Sequence, residues 1–168
     1  MVDNAETPNY TALLEYIKNS HVAIQKTRMS FELGGSFTEY KIEWWYLGEL
    51  VHTTWRRWRK FELLVEELKG NIDKEILDEF PDEVPEGEDP ESWMAKSVVW
   101  LASWSPDERQ PKLNLWLKKV VQNVNEGNMG AIWWFCTAIK PMDKISKLEK
   151  VKEDEEEENE DEGSFTAS

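Results

Sequence analysis

Trp55, Arg56, Arg57, Trp58, Arg59 and Lys60 are the residues of this chain whose types and order could do chemistry. Rings interleaved with cations are what a single-strand nucleic-acid groove or a base-stacking platform requires. Helical spacing works against that use, because Trp55 and Trp58 are three apart and share a face while Arg56 and Arg57 point elsewhere. The alternative turns the tryptophans inward and leaves the arginines solvated or paired with Glu62, Glu66 and Glu67. Nucleic acid is therefore a secondary expectation for this patch.

Other chemistry-bearing residues are few. His21 and His52 are the only histidines, and each fits a helix as an ordinary packed or surface imidazole. The single Cys136 excludes an intramolecular disulfide, and its place in the run AIWWFCTAI is that of a small buried hydrophobe. One Cys and two separated His supply no zinc spacing, and the acidic stretch around residue 85 lacks the alternating oxygen ligands of a calcium loop. The glycines of LGGS and EGNMG are not followed by the Lys-Ser/Thr of a phosphate loop. No catalytic residue, metal ligand or cofactor is assigned, and the expectation is a non-enzymatic protein.

The elements that must position these residues belong to one domain of 168 residues, with ten Trp, six Phe and four Tyr to fill a core. The formal charge of −14 is unevenly placed: residues 153–162 hold nine acids in ten and residues 82–91 six more, so the remainder sums to +1. The run EDEEEENEDE repels itself and cannot bury apolar area, so residues 153–168 are expected as a disordered acidic tail. Residues 80–92, with three prolines and a glycine, are expected as an exposed acidic loop. Residues 131–139 form the longest apolar run, well short of the roughly 20 residues that span a bilayer. With no secretory pattern in MVDNAETPNY, the expected place is cytoplasmic or nuclear, without a membrane span.

Elsewhere the spacing predicts helices. Tyr10, Leu13, Leu14, Ile17, His21 and Ile24 fall on one face of a first helix, which Gly34-Gly35 separates from the next. Ser36 and Glu39 form a capping-box signature, and Gly70 is a stop, for a long second helix with a seam of Leu47, Val51, Thr54, Trp58, Phe61, Val65 and Leu68. A shorter helix over 71–80 follows. Beyond the acidic loop the pattern gives a helix bearing Trp93, Ser97, Trp100 and Trp104, then one from Leu113 to Val124. Asn128 caps a helix apolar around most of its circumference, and a last one over 142–152 docks through Ile145, Leu148 and Val151. The reading is all-α, a bundle of five to seven helices over residues 1–152.

Within the second helix, Trp44, Gly48, Glu49 and Val51 followed by Trp55-Arg56-Arg57 resemble the third homology motif of the Bcl apoptosis regulators. Downstream, Glu126-Gly127, Asn128 and Gly130 before the helix with Trp133 and Trp134 resemble that family's first motif, with Met129 and Ala131 at its Trp and Arg positions. That resemblance implies an apolar groove, lined by these residues, that accepts an amphipathic helix of a protein partner. The segment WWYLGELVHTTW also resembles the spike helices of hepadnavirus core proteins, which implies a hairpin that associates with a second copy. The expected function is thus a helical protein-protein interaction module, with a self-associating structural protein as the alternative and single-stranded RNA binding third.

Overall fold

In the computed structural model, which describes residues 9–81 and 106–165, the segment expected as one long helix is largely a sheet. Strands β1 (Ser20–Glu32), β2 (Gly35–Tyr46) and β3 (Glu49–Arg57) pair antiparallel in the order β1-β2-β3. Among the described residues six helices accompany it: α1 (Tyr10–Lys18), α2 (Trp58–Leu68), α3 (Lys74–Asp78), α4 (Pro106–Gln122), α5 (Met129–Thr137) and α6 (Pro141–Phe165). The class is α+β, which corrects the all-α helical bundle.

The reason lies in a period of two that the helical reading passed over. Tyr40, Ile42 and Trp44 alternate along β2 and are all buried, and β2 and β3 are rich in the aromatic and β-branched residues that suit a pleated surface. Leu47 and Gly48 both have positive φ, 48° and 81°, so they close a two-residue hairpin of the primed kind between Tyr46 and Glu49. Leu33 and Gly34 close the other hairpin, between Glu32 and Gly35, where a break between helices was expected. The expected seam survives only in its second half. Trp58, Phe61 and Leu68 are buried on α2, whereas Leu47 and Val51 are exposed on the β2–β3 hairpin.

Other helices follow the sequence pattern more closely. Helix α4 buries Leu113, Trp116, Leu117, Val120 and Val121, and α5 is buried nearly all round, as its apolar circumference implies. Helix α1 ends at Lys18, and Ile24 lies in β1. Helix α6 docks through Ile145 and Leu148 while Val151 stays exposed. The expected disordered tail is also corrected: α6 runs through the acidic segment to Phe165, in keeping with the high helix propensity of Glu and Lys. Most of the expected acidic loop, from residue 82, and the expected helix with Trp93, Ser97, Trp100 and Trp104 lie outside the described residues.

Two features lock the body together. Asn114 and Gln110, one turn apart on α4, reach the backbone of Ile24: Ile24 N–H donates to Asn114 Oδ1 at 2.8 Å, and Gln110 Nε2 donates to the Ile24 carbonyl. The register of β1 shifts between Ile24 and Lys26, so these amides satisfy an edge strand where its ladder is irregular. At the centre, the Trp133 ring meets Trp44, His52 and Tyr16 edge-on at 5.2, 5.6 and 5.8 Å. Lys144 of α6 lies 4.0 Å over Tyr16, which fastens that helix to the same aromatic cluster.

Candidate functional site

The residues expected to bind a partner have different fates. Trp44 and Trp133 are fully buried and touch each other in the core. Gly48, Glu49 and Val51 are exposed on the β2–β3 hairpin. Trp55 is half-buried beneath Arg28, whose guanidinium lies 4.1 Å from the ring centre. The interleaved run is thereby divided: Trp58 points inward and Trp55 is covered, so those rings form no common platform.

Asn128 is buried and serves as a brace. Its Oδ1 accepts from Asn125 N–H at 2.8 Å, and its Nδ2 donates to the carbonyls of Asn71 at 2.9 Å and Asn123 at 3.3 Å. The loop before α5 is thus tied to the turn after α2. Asn128 sits at the N-cap position of α5 as expected, but its side chain makes no cap bond there. Gly130 is half-buried near Pro141.

Arg56 is a structural cation. Its Nε donates to the Phe135 carbonyl at 2.8 Å and its Nη2 to the Trp134 carbonyl at 3.0 Å, so the guanidinium meets the negative end of α5. Burial lowers its basicity. Burial also pushes the neighbouring Cys136 thiol far above its ordinary range, with the Arg56 charge opposing, which leaves the thiol inert. On the outer side of α5, Trp134 is half exposed and faces Leu63 of α2 across a shallow groove of about 120 Å³.

Arg57, one residue on, belongs to a different place. An open cleft of about 430 Å³ lies between the sheet, α2 and α4. Strand β2 lines it with Phe37, Thr38 and Tyr40, β3 with Arg57, α2 with Trp58, Arg59 and Glu62, and α4 with Arg109. The Arg57 guanidinium lies 5.4 Å over the Phe37 ring, and that of Arg109 lies 4.4 Å over Trp58. The Phe37 face thus holds the Arg57 guanidinium without consuming its N–H donors. Glu32 stands 3.9 Å from Arg57, beyond hydrogen-bond reach.

The cleft opens at the start of α2. Arg57 is the N-cap residue in extended geometry, makes no side-chain cap bond, and is followed by a first turn without an acid. The amino end of an 11-residue helix therefore adds its own positive potential to the arginines. Nearby Glu39 is already engaged: Ser30 donates to it and Arg28 stands at 3.1 Å, and these contacts hold its carboxyl below the usual range. Among the described residues, the carboxylate in the cleft lining is Glu62, and none of them in the lining is a histidine or cysteine.

Sequence reading reached Arg57, and met Trp58 and Arg59 in the aromatic-basic run, but missed Phe37, Tyr40 and Arg109. The signal for Arg57 and Phe37 was the alternation of β2 and β3; nothing local points to Arg109, which arrives from a distant helix. Among the described residues no group of three or more His, Cys, Asp or Glu could hold a metal ion, and no helix is long and apolar enough to cross a membrane.

No protein-family model matches the chain, and no curated protein matches it. Among solved structures, a designed CISK-PX domain determined by X-ray is similar to 68% of this chain over 96% of its own length, with 18% identity and a TM-score of 0.45. A similarity of that degree assigns this chain neither a fold nor a ligand.

Proposed function

We propose that the chain is a non-enzymatic binding module that takes a phosphate-bearing ligand in the cleft between β2, α2 and α4. The observation that carries this reading is the meeting of Arg57 of β3 and Arg59 of α2 on one open cleft that also receives the amino end of α2. Guanidinium forks match phosphate oxygens in pairs, and a helix amino end favours the same charge. Phe37, Tyr40 and Trp58 give the cleft an apolar wall for the ligand's carbon skeleton. The phosphate is either free in solution or part of a lipid headgroup.

Calorimetric titration with a soluble polyol polyphosphate, and sedimentation with vesicles carrying a phosphorylated headgroup, separate the two sources. Arg57→Ala and Arg59→Ala each weaken the responding probe at least tenfold, about 1.4 kcal/mol. Absence of saturable binding to both probes refutes the reading.

A protein partner is the second reading, favoured by one observation: Trp134 and Leu63 stand half exposed across the shallow groove between α5 and α2. An amphipathic helix with apolar residues a turn apart would cover both. A helical peptide library titrated against the wild type and Trp134→Ala tests it; equal binding by both proteins removes this groove from consideration.

A further inference from the structure

Hairpin turns are ordinarily built of polar residues, glycine and proline, and the end of the β1–β2 hairpin departs from that habit. Met29 is 55% exposed, Phe31 80% and Leu33 fully, so three large apolar side chains stand together in water. Such a contiguous projection marks a contact surface. The alternation of β1 puts Met29 and Phe31 on one face, which the register makes the face of Thr38 and Ser36 on β2. Glu32 falls on the opposite face, 3.9 Å from Arg57. A Cβ added at Gly34 or Gly35 would meet nothing within 4 Å, so the tip projects clear of the body.

The tip adjoins the cleft. Thr38 Oγ1 lies 3.6 Å from the Met29 sulfur, and Thr38 and Phe37 both belong to the cleft wall. Arg57 stands in register with Glu39, three residues along β2 from Ser36, the partner of Phe31. At roughly 3.3 Å per residue the level of Arg57 is about 10 Å from that of Phe31. Apolar groups at a bilayer surface settle roughly 5–10 Å into the boundary between headgroups and acyl chains, so the two levels match the phosphates and the hydrocarbon beneath them. We propose that the β1–β2 tip inserts into the surface of an anionic bilayer while the cleft holds the phosphorylated headgroup of one of its lipids. This rests on the reading of the cleft as a phosphate site and names the source as a lipid. Charge complementarity favours that occupant, since Arg57, Arg59 and the amino end of α2 face an anionic plane beside the tip. Three side chains at a narrow turn fall short of the roughly 20–30 residues a side of a stable protein interface, whereas hydrocarbon accepts them without a complementary shape.

The β2–β3 hairpin supplies a control. Leu47 is 72% exposed there, but it lies at the far end of the 12-residue β2, about 40 Å away, and none of residues 46–49 lines the cleft. Sedimentation of the full chain with phosphatidylcholine vesicles, with and without a minority of lipid bearing a phosphorylated polyol headgroup, is compared with titration of the soluble polyol polyphosphate. A tip variant with Phe31→Ser and Leu33→Ser binds the phosphorylated vesicles at least tenfold more weakly and the soluble probe as the wild type does. Leu47→Ser binds both unchanged. A polarity-sensitive fluorophore on Leu33→Cys, with the buried Cys136 left unlabelled, shifts to the blue on those vesicles.

A tip variant that keeps wild-type affinity for vesicles overturns the proposal, as does a label at residue 33 that stays in water. An equal loss from Leu47→Ser overturns it too, because the far hairpin has no part in the cleft. A wild type that dimerises without vesicles, beside a tip variant that does not, assigns the tip to a second copy and overturns the bilayer. Failure of the two readings is distinguishable. A chain that binds the soluble probe through Arg57 but no vesicle keeps the cleft and removes the tip; one that inserts residue 33 equally into both kinds of vesicle, with Arg57→Ala without effect, keeps the tip and removes the cleft.

Discussion

Arg56 donates to two carbonyls of α5 at 2.8 and 3.0 Å, whereas Arg57 rests over the Phe37 ring and meets Glu32 only at 3.9 Å. The alternation of a strand sends neighbouring side chains to opposite sides, so one arginine closes the body and the other lines the cleft. A guanidinium whose donors are consumed by its own chain is part of the fold. One held by an aromatic face keeps its donors for a ligand. The same residue type at adjacent positions thus separates stability from binding, and the separation can be measured.

Arg56→Ala gives the largest effect on stability. It leaves the carbonyls of Trp134 and Phe135 without their charged donor, at a cost of about 1.5–3 kcal/mol, and chemical denaturation reads the loss. Any protein that remains folded keeps its affinity for the ligand of the cleft; a parallel loss of affinity would merge the two roles and break the comparison. Asn128→Ala comes next, at about 1–3 kcal/mol, because buried groups lose their partners. It tests whether other expected binding residues are likewise structural.

Arg57→Ala sharpens the contrast from the other side. Its ion pair with Glu32 is exposed, so stability changes by less than about 1 kcal/mol, while affinity for the polyol polyphosphate falls at least tenfold.

The smallest expected effect depends on pH. Burial, reinforced by Lys144 and Lys147, holds the His52 imidazole below its ordinary value of 6.5. The unfolded chain then binds more protons, so the stabilisation is complete above pH 6.5 and is lost as pH falls through the lowered value. His52→Gln flattens that slope in melting temperatures taken across the window. The contribution of Glu39, lowered from 4.5, is lost only in more acid solution.

What could be read from the chain differed between its halves. Helices α4 and α5 were legible, because a stripe from Leu113 to Val121 and an all-apolar run have one natural solution each. The sheet was misread for a specific reason. Leu47, Val51, Thr54 and Trp58 satisfy helical steps, while the alternation of Tyr40, Ile42 and Trp44 lay in the same segment with only Leu47-Gly48 to mark its turn. Trp133 and Asn128 were prominent because large rings and capping amides also serve recognition, yet both are buried.

The sequence by itself determined the quantities that need no neighbours: the concentration of acids over residues 153–162, the helix-forming stripes, and the density of cations at residues 56–60. Only the tertiary structure decided which of those cations are consumed and which remain available. Arg109 reaches the cleft on a helix remote in sequence, and the carbonyls that claim Arg56 belong to α5. Local spacing sets the direction of a side chain, but the groups that satisfy it arrive through long-range packing.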